Sequence, residues 1–229
     1  LELYLPVMNG ARSIIGSENI SIDGSLLRDF IQKYNITIMQ ATPMTWNILL
    51  NSGWEHDGSF KVLCGGEALN VVLASRLLSR GHPIWNLYGP TETTIWSSYY
   101  YVDEVPDEVS TLPIGKPILN TEFYILDAHQ KPVKRGEEGE LYIGGAGLAR
   151  GYLHRPELTQ EKFIYCSIGD KKNIRLYRTG DLVKQLPDDN FLYLDRLDNQ
   201  VKIRGFRIEL NEINAYLQEY PQVEQSVVT

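Results

Sequence analysis

The chain has 229 residues, a formal net charge of −7 and an ordinary globular composition, 43% hydrophobic and 22% charged. That length can bury one large core or two smaller ones, and the negative balance argues against nucleic acid as a partner while leaving room for a local nucleotide site. Cys64 and Cys166 have no metal-ligand spacing and no apolar run reaches the roughly 18 residues of a membrane span, which points to a cytoplasmic protein with reduced thiols and no membrane partner.

The first residues, "LELYLPVMNGARSII", are apolar but carry neither an initiator methionine nor a helix cap, so the chain is expected to begin inside something larger. "SLLRDFIQKY" (25–34) has helical spacing and leads into strand-like "ITIM" (36–39). Thr42 reads as an N-cap and Pro43 as the first position of a helix running to about Leu50. "FKVLC" (60–64) and "IWNLY" (84–88) read as strands on either side of an amphipathic helix over 68–80. This alternation predicts a parallel sheet with flanking helices.

From about Thr94 the pattern changes. "TIWSSYYYV", "TEFYIL", "GELYIGG", "IRLYRTGDLVKQL" and "FLYLD" predict antiparallel strands, with one helix near "PELTQEKF". Charge density then rises in "DRLDNQVKIRGFRIELNEIN". "ELNEINAYLQEY" (209–220) reads as a helix and "EQSVVT" as the start of a strand. A domain boundary is expected near Leu197–Asn199, since the last residues are too few to close a core alone. The fold class is therefore α/β: a parallel sheet, an antiparallel β subdomain, then the start of a small α+β subdomain. The scattered histidines His56, His82, His129 and His154 read as surface residues.

Three stretches carry candidate chemistry. "LYIGGAGLARGY" (141–152) lacks both the glycine spacing and the helix of a dinucleotide fingerprint, and reads as a tight backbone crossing. Asp181 in "TGD" reads either as a turn-stabilising residue or as a carboxylate for two ribose hydroxyls. In "NLYGPTETT" the Gly89-Pro90 turn presents Thr91 and Glu92 at a strand end, where open α/β sheets bind ligands. A hydroxyl beside a carboxylate suits a phosphate oxygen and a divalent cation such as Mg²⁺. Tyr88 offers a flat face for a base. Helix capping by Glu92 is the alternative, weakened by the strand-forming "TIWSSYYY" that follows.

Taken in order, "LCGGEAL", "NLYGPTETT", "GELYIGGAGLARGYLHRPELTQEKF", "YRTGDL" and "DRLDNQVKIRGFRIELNEI" resemble the adenylation domain of nonribosomal peptide synthetases, a branch of the adenylate-forming enzymes. The resemblance spans essentially the whole chain. It implies that residues 1–197 are the latter part of a large N-terminal subdomain and 198–229 a hinge with the beginning of a small C-terminal one. It implies an enzyme that joins an amino acid to ATP as an aminoacyl-adenylate, then passes the aminoacyl group to phosphopantetheine on a peptidyl carrier protein beside a condensation domain. By the same resemblance Glu92 is the Mg²⁺ ligand, Thr91 an α-phosphate contact, Tyr88 the face under adenine, and Asn86 a neighbour of its amine. Gly66, Glu67 and Gly89 fall among the nucleotide contacts. Asp181 holds the ribose with help from Arg196, and Tyr193 closes on the base. Asp198 matches the hinge, and Gly205 the position beside the pantetheine arm.

The residues that match the family's side-chain pocket are Leu1, Gln40, Leu63, Gly65, Leu87, Ile95 and Trp96. They include no acid or base to pair a charged substrate. The string resembles the pattern for glycine, with alanine or another small apolar residue as the alternative. The family's phosphate loop, amine-binding aspartate and catalytic lysine have no counterpart within residues 1–229, so a central fragment with little exchange activity of its own is implied. Two other readings stay open: an acyl-CoA or aryl-acid ligase of the same superfamily, and a non-catalytic nucleotide-binding or docking piece.

Overall fold

A computed structural model of the chain describes residues 2–55, 60–106, 110–198, 200–203, 205–220, 222–223 and 225–228. The first part contains α1 (Tyr4–Met8), α2 (Glu18–Ile22), α3 (Gly24–Tyr34), β1 (Ile38–Ala41), α4 (Pro43–Asn51), β2 (Lys61–Gly65), α5 (Val71–Leu78) and β3 (Ile84–Tyr88). After a 3₁₀ turn at Thr91–Thr93 come β4 (Ser98–Val102) and β5 (Lys116–Pro117). The next group is β6 (Thr121–Leu126), β7 (Glu138–Gly145), α6 (Pro156–Lys162), β8 (Phe163–Ile168), β9 (Lys171–Gln185) and β10 (Phe191–Arg196). Last are β11 (Gln200–Ile203), β12 (Phe206–Glu209) and α7 (Leu210–Gln218).

Strands β1 to β5 form one sheet in sequence order, parallel from β1 to β3 and antiparallel thereafter. A second, antiparallel sheet runs β10-β9-β7-β6, with β8 on β9, and β11–β12 is a separate hairpin. The mixed α/β class expected from the alternation is what forms.

Local chemistry explains where the helices start. The Asp23 carboxylate accepts from the amides of Ser25 and Leu26 at 2.8 and 3.0 Å, and Asn35 ends α3 in the left-handed region with φ 48°. Thr42 caps α4 with Pro43 at its start, as its sequence predicts. The Asn70 side chain accepts from the Leu73 amide at 2.8 Å, so α5 starts at Val71 rather than at Ala68. These helices bury Trp46, Leu49, Leu73 and Leu77 against Val62, Cys64 and Ile84 of the first sheet.

Several expectations need correction. The strand predicted to start at Thr94 starts at Ser98, because the chain first wraps around itself: Thr93 Oγ1 donates to the Pro90 carbonyl at 3.1 Å and lies 2.6 Å from Ser97 Oγ. Thr94 and Ile95 take φ of 66° and 69°. "TGD" is no inter-strand turn, since residues 179–181 lie inside the single long strand β9. No strand forms over residues 225–228. His82 is buried, its ring stacked on Trp54 at 4.6 Å. The calls on Leu1, His56 and Asn199 lie outside the described residues. Among the described residues no helix is long and apolar enough to cross a membrane.

Replacing Asn70 with Ala removes the cap of α5. Stability of the polypeptide that carries this chain should fall by about 1 kcal/mol, read from the shift of its chemical denaturation midpoint.

Candidate functional site

Strands β2 and β3 end side by side, and beyond their carboxyl ends lies a cavity of about 420 Å³. Gly66, Glu67 and Gly89 line it from the loops after these strands, and Asn86 and Tyr88 from β3. Tyr193, Arg196 and Asp198 line the opposite wall, at the end of β10, and Lys202 of the hairpin closes it. Gly66 takes φ 89°, which lets the chain leave β2 sharply. Residues of "LCGGEAL", "NLYGPTETT" and "DRLDNQVKI", far apart along the chain, thus meet around one opening.

Asp181 stands just behind that wall and is 2% exposed. A bulge in β9 at Gly180, φ 75°, turns its carboxylate inward. Thr179 and Glu140 fix the bulge: Thr179 Oγ1 donates to the Leu141 carbonyl at 2.7 Å, and the Gly180 amide to Glu140 Oε1 at 3.1 Å. The Tyr88 hydroxyl donates to Asp181 Oδ2, and Arg196 Nη1 to Asp181 Oδ1 at 2.8 Å. Burial, and then the charge of Asp181, push the Tyr88 phenol well above its ordinary pKa; the same two causes push Tyr193 to about 12. Arg196 also grips Asp198 at both carboxylate oxygens, Nε to Oδ1 at 2.8 Å and Nη2 to Oδ2 at 2.5 Å. Burial works against the Asp198 charge, but Arg196 outweighs it and holds the carboxyl below the usual range.

Thr91 and Glu92 do not line the cavity. Thr91 is exposed and Glu92 is buried. Tyr152 Oη donates to Glu92 Oε1 at 2.5 Å, and Arg207 Nη1 of β12 reaches the same oxygen at 2.8 Å. The other oxygen, Oε2, is buried with no hydrogen-bond partner among the described residues. Burial raises the pKa of Glu92, yet the Tyr152 hydroxyl and the Arg207 guanidinium outweigh it and keep the carboxylate ionised. The hairpin spans the gap between the two acids. Lys202 Nζ sits 5.9 Å from the Tyr88 ring centre, and Arg207, directly across the hairpin from Lys202, pairs with Glu92. At the hairpin tip the Gly205 amide donates to Glu67 Oε1 at 2.7 Å.

The residues assigned to a side-chain pocket share one face of the first sheet. Gln40 is in register with Leu63, and Gly65 with Leu87, all on the face opposite the helices. Trp96 lies over Gly65: a Cβ added there would come within 2.5 Å of the indole. Ile95 is 44% exposed beside it.

Residues 1–153 match the family model described as AMP-binding enzyme. The chain belongs to the AMP-binding enzyme family. It is 47% identical over 228 residues to the dimodular nonribosomal peptide synthase of Bacillus subtilis (strain 168), covering 100% of this chain and 10% of that protein. It is 43% identical to surfactin synthase subunit 3 of the same organism, covering 99% of this chain and 18% of the relative. The chain therefore spans a small part of these longer AMP-binding relatives. Among solved structures it superposes on holo-AB3403, a four-domain nonribosomal peptide synthetase bound to AMP and glycine, with a TM-score of 0.80 and 44% identity over 96% of this chain and 16% of that one. PA1221, a synthetase protein containing adenylation and PCP domains, gives 0.84 with 28% identity over 98% of this chain and 46% of that one. The Vibrio cholerae adenylation domain AlmE, in complex with glycyl-adenosine-5'-phosphate, gives 0.76 with 28% identity over 87% of this chain and 38% of that one.

Sequence reasoning missed Tyr152 and Arg207 as the partners of Glu92, and Tyr177, whose side chain also favours the Glu92 charge. Arg207 had a signal, the abrupt charge in "RGFRIE". Tyr152 had none beyond its place in the glycine run. Glu92 and Asp198 are both depressed in the folded state, so the stability they add is present above the ordinary carboxylate pKa of about 4 and lost as pH falls through their lower folded values. Thermal unfolding of the parent protein should therefore shift to lower temperature on acidification below about pH 4, and Arg207→Gln should flatten the part due to Glu92.

Proposed function

We propose that the chain is the central part of an adenylation domain that activates an amino acid with ATP and hands it to a carrier-protein thiol. One observation carries the reading: Tyr88 and Arg196, from separate motifs, line a single cavity and are joined just behind its wall by hydrogen bonds to Asp181 of a third motif. AMP fits this arrangement, with adenine against Tyr88 and Asn86, and Tyr193 on its other side. Asp181 accepts from the ribose hydroxyls in exchange for the Tyr88 hydroxyl, while Arg196 holds the carboxylate in place. A fixed ribose sets the α-phosphorus for in-line attack by the amino-acid carboxylate, and pyrophosphate leaves. Gly66, Glu67 and Gly89 bring backbone close to the nucleotide, and Thr91 contacts the α-phosphate.

Glu92 suits a divalent cation. Its Oε2 is a hard, ionised, unpartnered oxygen, and Mg²⁺ takes one or two carboxylates plus phosphate oxygens and water. Bound there, Mg²⁺ neutralises phosphate charge. Asp198 serves as the hinge that separates 1–197 from 198–229. Gly205 is assigned to the approach of the pantetheine arm; its φ of 80° and the Thr42 side chain, 2.8 Å from where a Cβ would stand, both require glycine there.

The amino acid is glycine. Trp96 packs directly over Gly65, which narrows the space beside that face, and Gln40, Leu63 and Leu87 offer a substrate side chain no charge. A neutral pocket narrowed in this way rejects an added methyl by about 1–3 kcal/mol.

The test is an amino-acid-dependent ATP–pyrophosphate exchange panel on the full domain that carries this chain, with acids lacking the α-amine included. Glycine should give the highest rate. A clear preference for a bulky side chain overturns the pocket assignment, and acceptance of simple carboxylic acids overturns amino-acid activation. Trp96→Ala should raise kcat/KM for alanine relative to glycine by about tenfold or more, the equivalent of one relieved methyl clash.

A further inference from the structure

We propose that Arg207 and a divalent cation are alternative counter-ions of Glu92, with Tyr152 holding the carboxylate still while one replaces the other. The inference rests on the assignment of Glu92 as the cation ligand and adds how that ligand is kept when no cation is bound.

The geometry separates the two oxygens of Glu92. Tyr152 and Arg207 both bind Oε1, at 2.5 and 2.8 Å, while Oε2 is buried with no hydrogen-bond partner among the described residues. A buried ionised carboxylate with one oxygen unsatisfied is unfavourable, and a small cation reaching Oε2 would relieve it. The two partners of Oε1 differ in how they are attached. Tyr152 follows β7 of the second sheet, in the loop whose Ala149 amide donates to the Glu92 carbonyl at 2.8 Å, so it is anchored to the backbone of the acid itself. Arg207 comes from the β11–β12 hairpin, which pairs with no other strand among the described residues. Besides the Arg207 pair, that hairpin rests on the cavity through the Gly205 amide on Glu67 and Lys202 over Tyr88. It can leave without breaking a sheet.

A cation at Oε2 would lie within a few ångströms of the Arg207 guanidinium, because the two carboxylate oxygens share one carbon. Two positive groups that close repel, so each weakens the binding of the other. When cation and phosphates are bound, the hairpin is displaced. When they have gone, Arg207 returns, neutralises Glu92 and closes the cleft.

The test uses the full adenylation enzyme and measures Mn²⁺ affinity in the presence of ATP by the signal of free Mn²⁺ in electron paramagnetic resonance, with ATP binding followed separately. Arg207→Gln should tighten Mn²⁺ by about threefold to tenfold, the range expected for a half-buried charge pair. Arg207→Lys should restore the original affinity, because the contact to Glu92 is a single nitrogen on a single oxygen. Glu92→Gln should weaken Mn²⁺ and abolish the effect of Arg207→Gln in the double variant. Unchanged affinity in Arg207→Gln, or the same gain with and without Glu92, overturns the proposal while ATP binding leaves the nucleotide reading standing. Absence of ATP binding to the unmodified enzyme overturns both.

Discussion

Asp181 is where the two sheets are tied together. It sits on the second sheet, yet one of its partners, Tyr88, is the last residue of β3 in the first, and the other, Arg196, ends β10. A carboxylate this buried is tolerable only with both oxygens satisfied. Meeting that condition fixes the edge of Tyr88, the position of β10 and hence the width of the cavity between them. The same guanidinium then reaches Asp198, where the chain turns into the hairpin, so the wall of the site and the start of the last segment share one cation.

Glu92 follows the opposite design. Asp181 is saturated by protein groups, whereas Glu92 keeps one oxygen bare. Both are buried acids, and the difference lies in what surrounds them: a phenol of β3 and a guanidinium of β10 in one case, a phenol from the loop after β7 and a guanidinium of the separate hairpin in the other. A saturated acid gives shape. An unsaturated one leaves a position open.

Much of the fold was legible because its signals are local. The Thr42-Pro43 start of α4, the alternation of β3 and the turn-bounded strands β6 and β7 depend on neighbours in sequence. The errors arise where tertiary contacts override local chemistry. Gly180 and Asp181 look like a turn because glycine before an acid usually is one, but Thr179 and Glu140 make them a bulge inside a long strand. His82 looks like a surface residue until Trp54 stacks on it. At the site, the motif residues were legible through their resemblance to a family, and the structure gathers most of them on one cavity. What could not be read were the partners of Glu92, since Tyr152 and Arg207 lie 60 and 115 residues away and nothing local announces the approach.

The backbone between Glu92 and Trp96 is loaded. Thr94 and Ile95, both β-branched, stand consecutively in the left-handed region, a conformation that costs roughly 1–2 kcal/mol per residue. What keeps them there comes from the other sheet: Thr94 Oγ1 donates to the Gly147 carbonyl at 2.7 Å, and Gly147 sits so close that a Cβ would come within 2.7 Å of the Thr93 carbonyl. The loop that aims Glu92 therefore acts as a sprung latch, cocked only while the second sheet is docked. Assembly of the site and association of the two sheets become one cooperative event, and a protein caught with its sheets apart would carry every side chain of the site and no aim.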